Sequence, residues 1–189
     1  MKLRVALAQI NSTVGDLVAN AALVRTNFES AQDAGAHIVV FPEMVLTGYP
    51  VEDLALRPSF QLASQRALAE LAKTLTGKTV AIVGYLDQVN GAPQNMVAVI
   101  SNGVVAARYA KCHLPNYGVF DEFRNFVPGD QTLVVRIHGV DVGVAICEDL
   151  WIDGGITSEL AARKPGLVIV PNGSPYERAK DDARLALVT

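Results

Sequence analysis

Residues 3–10 (LRVALAQI) form an apolar run of strand length, and residues 37–41 (HIVVF) form another. Between them Leu17, Ala21, Val24, Phe28 and Ala31 recur at spacings of 4, 3, 4 and 3, the stripe of an amphipathic helix. A strand, a helix and a strand in this order pair the strands in parallel, because the connection is a crossover and not a hairpin. This opening commits the chain to an α/β class. The near-continuous hydrophobicity of 3–10 predicts a strand buried on both faces. Asn11 to Asp16 supply turn chemistry, and Gly35 reads as a helix stop.

Pro42 to Pro58 lacks periodicity and reads as a loop. Ser59 is then the expected cap of a second helix, with Leu68, Leu71, Ala72 and Leu75 on its inner face and Gly77 at its end. Val80–Leu86 is a third strand. The style then changes. Residues 95–101 and 104–109 are strands joined by Asn102-Gly103, the dipeptide that favours a type I′ hairpin turn. Residues 132–137 and 140–146 repeat the idea around His138-Gly139, a weaker turn. A helix near 156–163, a short strand at 167–170 and a helix over 176–188 complete a mixed α/β pattern of parallel units and antiparallel hairpins.

Composition narrows the function classes. A chain of 189 residues buries about 70% of its unfolded surface and needs no disulfide or metal staple. With 50% hydrophobic and 19% charged residues it is not disordered. Lys+Arg number 16 against 19 Asp+Glu, a net charge of −3, which argues against a general nucleic-acid binder. No apolar run approaches the ~18 residues that cross a bilayer, and the run after Met1 is too short for a signal peptide. Cys112 and Cys147 are too few for a disulfide framework or a four-ligand zinc site. The expected setting is reduced and cytoplasmic, without metal, membrane or nucleic acid.

Four strands run into reactive residues. The first of these, 37–41, leads to Pro42-Glu43, and 104–109 leads to Ala110-Lys111. The strand 140–146 leads to Cys147-Glu148-Asp149, and 167–170 leads to Pro171-Asn172-Gly173-Ser174. In open α/β sheets ligands bind beyond the carboxyl ends of strands. Glu43, Lys111 and Cys147 would converge there unless an antiparallel strand sends one end the other way. The set suits acyl transfer: a thiol nucleophile, an ammonium that stabilises thiolate and oxyanion, and a carboxylate that moves the proton. Each residue alone has a plainer explanation. Cysteine after a strand is commonly core, lysine is commonly solvated, and Glu43 can cap the loop that follows it. His37, His113 and His138 lack metal-ligand spacing, and no phosphate-binding glycine motif occurs. Tyr49, Tyr117, Phe120, Phe123 and Phe126 are loop anchors or pocket walls, a choice that sequence leaves open.

At these residues the sequence resembles the nitrilase (carbon–nitrogen hydrolase) superfamily, and more narrowly the amino-terminal glutaminase domains of glutamine-dependent NAD synthetases. The carrying segments are FPEMVLTGY at 41–49, PVEDL at 50–54, KCHLPNYGVFDEFRNF at 111–126, CEDLW at 147–151 and PNGSPY at 171–176. The resemblance implies an αββα four-layer sandwich with mixed sheets. It implies Glu43 as general base, Lys111 as transition-state stabiliser, Cys147 as nucleophile and Glu122 as a supporting carboxylate. The backbone N–H of Glu148 would complete an oxyanion hole, and Tyr117, Glu148 and Ser174 would hold glutamine. Ammonia would pass to an ATP-dependent synthetase domain that amidates deamido-NAD. ATP and Mg would serve that domain, and no cofactor is expected in 1–189.

The resemblance also implies a homo-oligomer. Val51, Asn125 and Gly173 depart from the family pattern. Because the sequence stops at Leu187-Val188-Thr189 in an apolar, helix-like stretch, the expectation is a domain truncated at its C-terminus, with the synthetase domain absent. Two other readings stay open: a free-standing amidase acting on a small amide, and an inactive fragment or assembly module.

Overall fold

Among the described residues of the computed structural model, 2–178 and 180–188, five strands form one sheet and three form another. The first sheet has the order β1 (Val5–Leu7), β2 (Ile38–Val40), β3 (Val80–Val89), β4 (Ala92–Ser101), β5 (Val104–Ala110). The second has the order β6 (Leu133–Ile137), β7 (Val140–Val144), β8 (Leu167–Ile169). Strands β1, β2 and β3 are parallel, and β4 is antiparallel to both of its neighbours. Strand β5 therefore points the same way as β2. In the second sheet β6 is antiparallel to β7, and β7 is parallel to β8. The carboxyl ends of β2 and β5 thus share one sheet edge, and those of β7 and β8 share another.

Alternation within the strands builds the layers. Helices α1 (Leu17–Asp33) and α2 (Pro58–Thr74) lay Val24, Phe28, Leu68 and Leu71 against Val39, Ala81, Val83 and Ile100. The intervening residues Ile38, Val40, Val80 and Ile82 turn to the opposite face and meet Val142, Val144 and Ile169 of the second sheet. Burying a side chain of this kind stabilises by about 1.5–3 kcal/mol. After the short α3 (Glu122–Asn125), helix α4 (Gly155–Arg163) covers the far face of the second sheet, with Leu160 over Gly143. The layers therefore run helix, sheet, sheet, helix, the four-layer sandwich with mixed sheets that the resemblance implied. Helix α5 (Lys180–Val188) follows.

Several local expectations change. Leu3 and Val5 pack between the sheets, but Leu7 on the same face is 73% exposed, so the first strand is not buried throughout. Among the described residues β1 pairs only with β2, at the sheet margin. Strand β3 outruns its expected end at Leu86 and turns into β4 at Asn90-Gly91, with φ of 52° and 83°. Asn102-Gly103 (46° and 82°) and His138-Gly139 (46° and 82°) turn the other two hairpins. Positive φ at both central residues is what a type I′ turn requires. Helix α1 is capped by Asp16, which accepts from the Ala19 N–H at 3.0 Å. Helix α2 begins with Pro58 at its first position and not behind a Ser59 cap, because proline lacks the N–H that would go unpaired there. The last helix begins at Lys180, and residues 171–177 are irregular. Ala179, within the expected helix, and Thr189, the last residue of the apolar C-terminal stretch, lie outside the described residues.

Candidate active site

Glu43, Lys111 and Cys147 each stand just past a strand. Glu43 follows β2 by way of Phe41-Pro42, Lys111 directly follows β5, and Cys147 follows β7 by way of Ala145-Ile146. The two sheets meet at these ends. The Cys147 N–H donates to the Pro171 carbonyl at 3.0 Å, and the Glu43 N–H donates to the Asn172 carbonyl at 3.3 Å. Cys147 opens a short 3-10 turn with φ of 43°, in the left-handed region that most side chains avoid. A strained residue at such a turn is held by its surroundings.

The charged groups form one buried cluster. Lys111 Nζ lies 2.7 Å from Glu43 Oε1 and 2.8 Å from Glu122 Oε2. All three residues are buried. One ammonium thus faces two carboxylates. Burial and the Glu43 charge push the Glu122 carboxyl up to about 7, against the pull of Lys111. Burial works to lower the Lys111 pKa, but the two carboxylates overcome it and hold the ammonium above the ordinary lysine range. Glu43 accepts on both oxygens, since its Oε2 takes the Gly173 N–H at 2.8 Å. Tyr49 donates its hydroxyl to Glu122 Oε1 at 2.8 Å, so this loop aromatic is tied to the cluster.

The nucleophile candidate is buried as well. Burial and the Glu43 charge push the Cys147 thiol up to about 12, while Lys111 and the Ser174 hydroxyl pull the other way. Sγ lies 3.3 Å from Ser174 Oγ. At neutral pH the resting sulfur is a thiol, so chemistry at this cysteine needs a base that removes its proton. Tyr117 donates its hydroxyl to Glu148 Oε2 at 2.8 Å, and the two side chains border a cavity of about 310 Å³.

Three contributors went unassigned in the sequence reading. Asp149 is fully buried; its Oδ2 accepts from the Ile146 N–H and the Tyr109 hydroxyl, and its Oδ1 from the Cys112 and His113 N–H groups. It ties the cysteine turn to the segment after Lys111. Asn95 on β4 donates to Glu43 Oε1 at 2.8 Å. The signal for Asn95 was a polar residue inside an apolar strand, which must find a partner when buried. Gly84 lies within β3, and no sequence motif marks it. A Cβ there would meet the Met44 nitrogen at 2.3 Å and the Pro42 carbonyl at 2.6 Å, because the loop that carries Glu43 lies directly on β3. Gly84→Ala is therefore expected to lower unfolding stability by about 2–3 kcal/mol, read from the urea midpoint.

The sequence profile of the carbon–nitrogen hydrolase family matches residues 4–187. A glutamine-dependent NAD(+) synthetase of Xylella fastidiosa is 42% identical over 189 residues, a match that covers 98% of this chain and 34% of that protein. One from Thermotoga maritima is 40% identical over 182 residues, covering 95% of this chain and 31% of that protein. The solved structure of the glutamine-dependent NAD+ synthetase from Acinetobacter baumannii superposes with a TM-score of 0.91 at 37% identity, over 96% of this chain and 34% of that one. A Nesterenkonia amidase of the nitrilase superfamily shares the fold, with a TM-score of 0.82 at 22% identity, over 97% of this chain and 70% of that one. The chain spans about a third of the length of the curated relatives it matches.

Proposed function

The chain belongs to the carbon–nitrogen hydrolase family, and on that premise we propose that it hydrolyses the side-chain amide of glutamine to glutamate and ammonia through a thioester on Cys147. The observation that carries this reading is the buried Glu43–Lys111 pair at 2.7 Å, set at the sheet junction beside a cysteine whose thiol needs a base. Identity of about 40% to NAD synthetases supports glutamine as the amide.

Glu43 removes the thiol proton as Sγ attacks the amide carbon, forming the S–C bond. The oxyanion that develops is stabilised by the Lys111 ammonium and the Glu148 N–H. Glu43 returns the proton to the amide nitrogen, the C–N bond breaks, and ammonia leaves. Glu43 then takes a proton from water, which attacks the thioester. The C–S bond breaks and the sulfur recovers its proton. Glu122 keeps Lys111 in place. Tyr117, Glu148 and Ser174 hold the substrate, with the Glu148 carboxylate suited to its α-ammonium. Unpaired Cys112 and Cys147 agree with a reducing, cytoplasmic setting.

In the longer relatives' manner, the ammonia would serve a synthetase domain that amidates deamido-NAD. ATP and Mg belong to that reaction. Among the described residues no cluster of three or more His, Cys, Asp or Glu side chains is arranged for a metal, and no step here runs through either.

A glutamine analogue with an electrophilic carbon in place of the side-chain amide tests the assignment. Peptide mass mapping should find the label on Cys147 and none on Cys112. Label on Cys112 alone overturns it. Equal labelling by an analogue without the α-amino acid end would favour an amidase of small amides.

A further inference from the structure

Asn95 sits in the middle of β4 and is 1% exposed. Its side chain and main chain reach different members of the catalytic set. Nδ2 donates to Glu43 Oε1 at 2.8 Å, the same oxygen that takes Lys111 Nζ. Its carbonyl accepts the Lys111 N–H at 2.9 Å. The amide's orientation is fixed, since a carboxylate oxygen accepts and only Nδ2 can face it. The other half of the amide is left over. Among the described residues, Asn95 Oδ1 is buried and has no hydrogen-bond partner.

That leftover oxygen is informative. A buried acceptor without a donor is destabilising, and leucine, of nearly the same shape, would remove it. The oxygen works against stability, and what asparagine offers in return is the bond to Glu43. Such local conflicts concentrate at functional sites.

We propose that Asn95 is a positioning residue for the proposed glutaminase reaction, one that fixes the Glu43 carboxylate between Lys111 and the Cys147 loop. With Gly173 on Oε2, the Asn95 amide and the Lys111 ammonium on Oε1 hold the carboxylate at both oxygens. Losing the Asn95 contact lets the base turn away from the thiol while Tyr117, Glu148 and Ser174 keep their places. The proposal rests on the glutaminase reading, since it assigns Glu43 the base role.

The test uses Asn95→Leu and Asn95→Asp in the full chain. Asn95→Leu should lower kcat for glutamine by about 10- to 100-fold with KM held within about threefold, the scale of a mispositioned group. Its thermal midpoint should lie close to that of the parent, because leucine removes the orphaned acceptor together with one donor to Glu43. Asn95→Asp, which sets a second carboxylate against Glu43, should be slower and less stable than Asn95→Leu. A merely structural role makes kcat follow stability, so a leucine variant with undiminished kcat overturns the proposal. A parent that hydrolyses no glutamine overturns the glutaminase reading instead. Alkylation of Cys147 by iodoacetamide at fixed pH then reads Asn95 without glutamine. A rate at least about fivefold lower in Asn95→Leu upholds the positioning role. Equal rates overturn it.

Discussion

Cys147→Ala will remove glutamine hydrolysis by a factor of about 10⁴ or more while leaving a folded chain. The loss follows from the absence of a substitute. Ser174 Oγ is 3.3 Å from the sulfur, but an aliphatic hydroxyl is far less acidic than a thiol and yields its proton to a carboxylate much less readily. At neutral pH it is a poor nucleophile in place of the sulfur. The fold should tolerate the change. Cys147 is 3% exposed, and taking one sulfur from a packed site alters stability by about 1 kcal/mol. Ammonia release at saturating glutamine, with circular dichroism as the control for folding, measures both halves. Turnover above about a hundredth of the parent would remove Cys147 from the nucleophile's role.

Lys111→Met will damage both stability and rate. The lysine side chain is fully enclosed, and it faces the Glu43 and Glu122 carboxylates at 2.7 and 2.8 Å. Methionine fills the space but leaves two buried carboxylates side by side. Breaking a buried pair in this way destabilises by about 3–5 kcal/mol, because the remaining charge has no partner. The surviving carboxylates would relieve part of that by taking up a proton. Activity should fall by about 10³ or more, since the oxyanion loses its cation as well. The double variant Lys111→Met/Glu122→Gln separates the effects. Removing the second charge should return a large part of the lost stability, read from urea midpoints, and little of the rate. If rate returns together with stability, Lys111 is a structural counter-ion and not a stabiliser of the transition state.

The sequence made the scaffold legible where a residue's role is local. Apolar runs ended in Glu43, Lys111 and Cys147, and the Asn102-Gly103 turn announced its hairpin. The first Asn-Gly turn was hidden because β3 ends in Asp87-Gln88-Val89, half-exposed residues that do not look like a strand. What escaped reading was contact across long separations. Asn95 and Glu43 are 52 residues apart, and Gly173 and Glu43 are 130 apart. The departure at Gly173 falls on a backbone donor to the proposed base, which no spacing rule would reveal. Asp149 looked like one more polar neighbour of Cys147 until its acceptor oxygens were seen to gather donors from both sheets.

Glu43 and Lys111 ride on one sheet, and Cys147 rides on the other. The distance from the proposed base to the thiol is therefore set by the thickness of the filling between two layers. Ile82 and Val144 belong to that filling, in the same buried cluster as Cys147. Trimming or enlarging such a side chain works like changing a shim. It alters the gap across which a proton must travel, so the tuning of this chemistry is distributed through the interior of the sandwich.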